Sequence, residues 1–207
     1  MITLTVIALL GILLIIVLRE LRKPEQPSWR KSAPAKPAED LGSTKITDAR
    51  GGDAISIAGA GQEFRDLDFT VESRKSYQVG QREWIELRGT YSERRVLLLI
   101  SVAETVDAYV VTDQDYTLAD LQLSEDDLAQ IDERQNPDDN FQFDGKVWHY
   151  GFSKEFVLDN RGGNFYGWVF REEGGAHTML IRKAEGEPFT AVIGARVNPA
   201  DITVYRA

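Results

Sequence analysis

The chain has 207 residues, 43% of them hydrophobic, a net charge of −9 and no cysteine, which suits one domain plus an appendage or two small halves sharing a core. The lack of cysteine excludes disulfides, thiolate zinc sites and a cysteine nucleophile. Residues 19 to 50 carry eight Lys/Arg against five Asp/Glu, whereas residues 51 to 207 carry sixteen against twenty-eight; a +3 segment therefore precedes a −12 one, which disfavours nucleic acid as a partner.

The run Ile2 to Leu18 holds thirteen Ile, Leu or Val residues and no charged side chain. Insertion into lipid is then favoured by about 5 kcal/mol, and a helix of about 25 Å nearly matches the hydrocarbon core. A cleaved signal peptide would need a basic segment before the run and small residues after it, and neither is present. Basic side chains follow it instead, Arg19, Arg22 and Lys23 first, and the positive-inside rule places what comes next in the cytoplasm. The expected partition is a transmembrane helix with its basic flank (1–23), a proline-rich tether (24–50) and a β domain (51–207) at the inner membrane.

Within the domain, β-branched and aromatic runs broken by turn residues predict strands at Ala54–Ala58, Leu67–Val79, Arg82–Tyr91, Arg95–Ala103 and Asp107–Thr112. A second set follows at Asn140–Phe143, Lys146–Leu158, Asn164–Arg171, His177–Arg182, Thr190–Ile193 and Ile202–Tyr205. Asp144-Gly145, Arg161-Gly162-Gly163 and Gly174-Gly175 supply the positive φ of tight hairpins. Between the sets, Ser124-Glu125-Asp126-Asp127 has the form of a capping box, and Leu128 and Ile131 continue an apolar face until Pro137 stops it. The expected fold is mainly β: an antiparallel, barrel-like meander of two related halves (51–116 and 138–207) joined by a short helical connector (117–137). Tyr77 to Leu87 and Phe143 to Phe152 each set a turn before a tryptophan-bearing strand, which suggests that the halves are alike.

Gly52-Asp53, Trp84-Ile85-Glu86-Leu87, Val147-Trp148-His149-Tyr150, Ala191-Val192-Ile193-Gly194 and Pro199-Ala200-Asp201-Ile202 carry a resemblance to a bacterial family. Over roughly Gly52 to Tyr205 the chain resembles the family known as domain of unknown function 4178, which often has two such β halves. Relatives in that family tend to be encoded near phage-shock-type membrane-remodelling proteins and polyamine-synthesis enzymes. The resemblance thus implies a role in envelope maintenance or stress, and it brings no catalytic residue. The chain departs from the family at Leu180-Ile181-Arg182-Lys183, where an acidic residue is common.

No residue set forms a catalytic, cofactor or metal site by spacing. His149 and His177 are far apart in sequence and read as ordinary strand residues unless the hairpins bring them together. Asp113-Gln114-Asp115 lacks the rest of a calcium loop, Gly59-Ala60-Gly61 lacks the third glycine of a dinucleotide loop, and Ser101 and Ser153 lack a nucleophile elbow. Trp84, Trp148, His149, Tyr150 and Trp168 are the candidates for lining a cleft between halves, against core packing as their commoner use. Two functions fit. The first is a tethered binding or scaffold module, held in the bilayer by its helix, that recruits or regulates a protein partner, basic or membrane-remodelling in character. The second is an enzyme or small-ligand sensor with its cleft between the halves.

Overall fold

The computed structural model describes residues 44–61, 65–112, 115–159 and 163–207. The apolar run Ile2 to Leu18, its flank Arg19, Arg22 and Lys23, and the proline-rich stretch lie outside the described residues, as do Asp113, Gln114 and the Arg161-Gly162 turn. Among the described residues no helix is long and apolar enough to cross a membrane.

The strands, in chain order, are β1 (Ala54–Ile57), β2 (Leu67–Val79), β3 (Arg82–Tyr91), β4 (Arg94–Val102), β5 (Val106–Thr112), β6 (Asp115–Tyr116), β7 (Asn140–Phe143), β8 (Lys146–Leu158), β9 (Phe165–Glu172), β10 (His177–Ala184), β11 (Thr190–Val197) and β12 (Ile202–Tyr205). Helix α1 (Glu125–Arg134) separates β6 from β7. β2 to β5 form one antiparallel meander and β8 to β11 a second. Two seams join them. At one, β5 pairs with β11 through Val110 and Ala195; at the other, β2 pairs with β8 through Tyr77 and Leu158. Eight strands thus close into an antiparallel barrel, which removes the edges that an open sheet would leave.

The second meander repeats the first in detail. Each is preceded by a short strand paired to its long first strand, β1 on β2 and β7 on β8. Both long strands have 13 residues, and the ladder shifts at the same place in each, at Glu72 in β2 and Gly151 in β8. A bulge adds one residue and so reverses which face each later side chain points to. Before the shift, Leu67, Phe69 and Val71 pack outward against β1; after it, Tyr77 and Val79 point into the barrel. In β8, Trp148 and Tyr150 pack outward and Phe156 inward.

Three cores result. The central one holds the rings of Tyr77, Trp84, Phe156 and Phe165, with Phe156 and Phe165 stacked at 4.6 Å. One outer core lies under β1 and β12 and also takes in Ile46 and Ala49, so packing begins within the stretch that reads as tether. The other lies under α1, whose Leu128 and Ile131 cover Trp148, Phe170 and Met179. That helix starts as its capping box requires: Ser124 Oγ accepts from the Asp127 N–H at 3.1 Å, and Asp127 accepts from the Ser124 N–H at 2.8 Å. It ends at Gln135 in the left-handed region, two residues before Pro137.

Strand extents follow the sequence pattern closely, with three differences. β11 runs on to Val197, because pairing to β5 supplies hydrogen bonds that its apolar run does not announce. The two-residue β6 arises only by pairing with β11. The last strand, β12, leaves the second meander and pairs with β1, covering the first outer core. There Asp53 accepts from the N–H groups of Arg50 (2.9 Å) and Ala207 (3.4 Å), which pull its carboxyl below the usual range and tie the two ends of the domain together.

Candidate functional site

The five predicted cleft residues do not converge. Alternation along β3 sends Trp84 and Glu86 into the barrel and Ile85 and Leu87 into the first outer core. Trp148 is buried beneath α1 and donates from Nε1 to the Phe143 carbonyl at 3.3 Å. Trp168 packs edge-on against Tyr166 at 4.8 Å. These three tryptophans are core residues, which is where large apolar rings gain most. His149 and Tyr150, by contrast, both border an open hollow.

That hollow, about 640 Å³ in volume, lies where the wall of the barrel is incomplete. β2 turns into β3 at Gly80 and Gln81 after only two ladder pairs with β8, so residues 149 to 154 of β8 run on without a β2 neighbour. The Gly80 turn closes one side and Pro137 the other, while Val79 and Phe152 of the central core form apolar wall. The polar lining is basic: the cations Arg82, Lys154 and Arg171, with His149 and Gln81 and no carboxylate among the described residues. The Arg82 guanidinium sits over the Phe152 ring at 5.7 Å. His149 stands directly opposite Arg171 in the β8–β9 ladder. Among the described residues none of the four has a carboxylate within ion-pair distance.

An acid-rich domain acquires a basic hollow through strand alternation. Arg82, Lys154 and Arg171 are each followed by glutamate, and successive strand residues face opposite ways. Each glutamate is engaged on the other face. Glu83 accepts from Ser76 Oγ at 2.5 Å, Glu155 accepts from Asn164 at 3.2 Å, and Glu172 pairs with Lys146 at 3.0 Å and with His177. In the linear sequence these charges cancel; in the fold they are sorted.

Two further polar clusters are structural. Ser153 donates to Asp132 of α1, and Tyr166 donates to the same carboxylate oxygen at 2.8 Å while the Tyr150 hydroxyl meets Ser153 Oγ at 2.8 Å. The set pins α1 to the barrel, and its one carboxylate, Asp132, is engaged by both the Ser153 and Tyr166 hydroxyls. His177 and His149 stay apart, because His149 and Thr178 both stand opposite Arg171, and the one-residue offset puts His177 on the other face. No group of side chains among the described residues could hold a metal ion.

The His177 hydrogen bond, with Lys146, holds the Glu172 carboxyl below the usual range against the opposing effect of burial. A depressed carboxyl stabilises the fold above its unfolded-state value, near 4.5, and loses that contribution as pH falls through its lower folded-state value. Glu172→Gln is therefore expected to lower the melting temperature at pH 7 and to narrow its gap from the parent as pH falls from 5 to 3. A constant gap over that range would show that the carboxylate charge contributes nothing there.

Compared with family models, curated proteins and solved structures, the chain matches none of them.

Proposed function

We propose that the chain is a membrane-tethered binding module whose β domain meets its ligand or partner at the hollow across the β2–β8 seam. The observation that carries this reading is the convergence of Arg82, Lys154, Arg171 and His149, without carboxylate partners among the described residues, in one hollow of a domain with net charge −12. Cations gathered in this way present a local positive field that a bound anionic group would complement. Aromatic rings fill the centre of the barrel, so recognition falls to the hollow beyond them, where inward-facing positions carry the cations. The groups that could have carried chemistry, Ser153 with Asp132 and His177 with Glu172, are spent on packing and pairing.

Ile2 to Leu18 anchors the module, and Arg19, Arg22 and Lys23 hold its flank on the cytoplasmic side. Its place is then the inner face of the inner membrane, where it recruits or regulates a partner. The repeated meander, with bulges at matching positions, supports internal duplication and with it kinship to domain of unknown function 4178 and its envelope-stress setting.

Two measurements test this. The full chain should resist alkaline carbonate extraction from membranes and, fused at its C terminus, give a fluorescent cytoplasmic reporter and an inactive periplasmic phosphatase. Release by carbonate would remove the anchor, and the opposite reporter pattern would reverse the orientation. A photo-crosslinker at Gln81, on the rim of the hollow, should capture adducts in native membranes that one at Glu185 does not. Equal capture at both positions would detach binding from the hollow.

A further inference from the structure

Resting on the reading of the hollow as the recognition site, we propose that its ligand is a small phosphate-bearing anion held by Arg82, Lys154 and Arg171. The lining carries three full charges and an imidazole, more than a single carboxylate would need and suited to a multiply charged oxyanion. Two of the three are arginines, whose planar forks match phosphate oxygens in pairs, and the third is a lysine, which serves phosphate as a point charge. Arg82 lies over Phe152, and such stacking limits the freedom that a guanidinium loses on binding. The Gly80 turn and Pro137 bound the site, and about 640 Å³ is the scale of a small-molecule site.

The fold itself does not call for these charges. The shared bulge aligns β2 with β8 and β3 with β9, and the positions matching His149, Arg171 and Arg82 in the other meander are Thr70, Thr90 and Gly163. Only Lys154 has a charged counterpart, Lys75. The barrel is thus built twice, once with the cations and once largely without them. In the cationic copy the bulge residue is Gly151, whereas its counterpart is Glu72, a carboxylate that would oppose an anion.

Free phosphorylated metabolites and phospholipid headgroups share this chemistry, and the experiment separates them. The full chain in neutral detergent is titrated with inorganic pyrophosphate by calorimetry, and the chain reconstituted in neutral phosphatidylcholine vesicles is compared with vesicles containing phosphatidic acid. Pyrophosphate should bind and raise the melting temperature. Arg82→Gln, Lys154→Gln and Arg171→Gln should each weaken binding by about tenfold or more, as loss of a charge-assisted hydrogen bond does. Gln81→Glu, in an exposed turn where folding is not at stake, should weaken it as well. Should pyrophosphate fail while phosphatidic acid protects the same three side chains from chemical modification, the ligand is a headgroup and the proposal stands. No response to either probe, or pyrophosphate binding that survives the triple Gln variant, overturns it. Failure here leaves the Gln81 crosslinking result unaffected, so the binding-module reading is judged separately.

Discussion

Replacing Glu86 with alanine is expected to cost about 3–5 kcal/mol of unfolding free energy, the range for breaking a buried ion pair. The Glu86 side chain is fully buried in β3 and faces Arg182 of β10 at 2.8 Å, with Arg88 on its other oxygen at 3.0 Å. Glu86 and Arg182 belong to different meanders, so this pair is a polar link across the barrel interior. Arg182 also lies over the Phe165 ring at 5.2 Å, and its Nε and Nη2 make no aligned hydrogen bond, so its contact with Glu86 is ionic in character. Without Glu86, Arg182 keeps only that ring as a partner among the described residues. Removing Arg182 instead leaves Glu86 its Arg88 partner, and Arg182→Met should therefore cost less than Glu86→Ala. The double variant Glu86→Leu, Arg182→Met should recover most of the loss, since two apolar side chains need no pairing. Urea unfolding of all four forms checks this. Additive losses, or a Glu86→Ala cost below about 1 kcal/mol, would mean that the pair is screened by water. The same site explains the neighbouring phenol: burial, reinforced by the Glu86 charge, pushes Tyr77 up to about 12.

Phe156→Ala should be as damaging, at about 3–5 kcal/mol, because the ring sits at the centre of the barrel with Phe165 at 4.6 Å, Trp84 at 5.6 Å and Tyr77 at 6.2 Å. The ring also dictates its neighbour. A Cβ on Gly167 would come within 2.5 Å of Phe156 Cε2, so the ring occupies the space of the missing side chain. Gly167→Ala alone should then cost about 1–3 kcal/mol through overpacking. In the Phe156→Ala background the same methyl enters the vacated space and should be neutral or stabilising, a coupling of about 1–3 kcal/mol. A Gly167→Ala cost that is equal in both backgrounds would mean that the strain comes from the backbone and not from the ring.

Most strand spans and the helix cap were legible because they depend on near neighbours. Alternation in Arg82–Tyr91, the positive-φ turn at Asp144-Gly145 and the reciprocal bonds of Ser124 and Asp127 need only a few residues each. The candidate site was legible in part. His149 and Tyr150 stand out by residue type, whereas Arg82, Lys154 and Arg171 do not, each being neutralised in the linear sequence by the glutamate after it. Trp84, Trp148 and Trp168 drew attention for the same size and polarisability that put them in cores.

By itself the sequence determined a divided chain: an apolar run, a basic proline-rich stretch and an acidic β domain with two matching sets of strands. Tertiary structure alone decided which strands meet. Pairing of Tyr77 with Leu158 and of Val110 with Ala195 joins segments far apart in the chain, and periodicity carries no address for a distant partner. Closing those seams placed Glu86 against Arg182 and left β8 running past the end of β2, while the register of β8, β9 and β10 kept the two histidines on opposite faces. Three cations and a histidine could then gather in the resulting gap, because alternation had already turned their glutamates away.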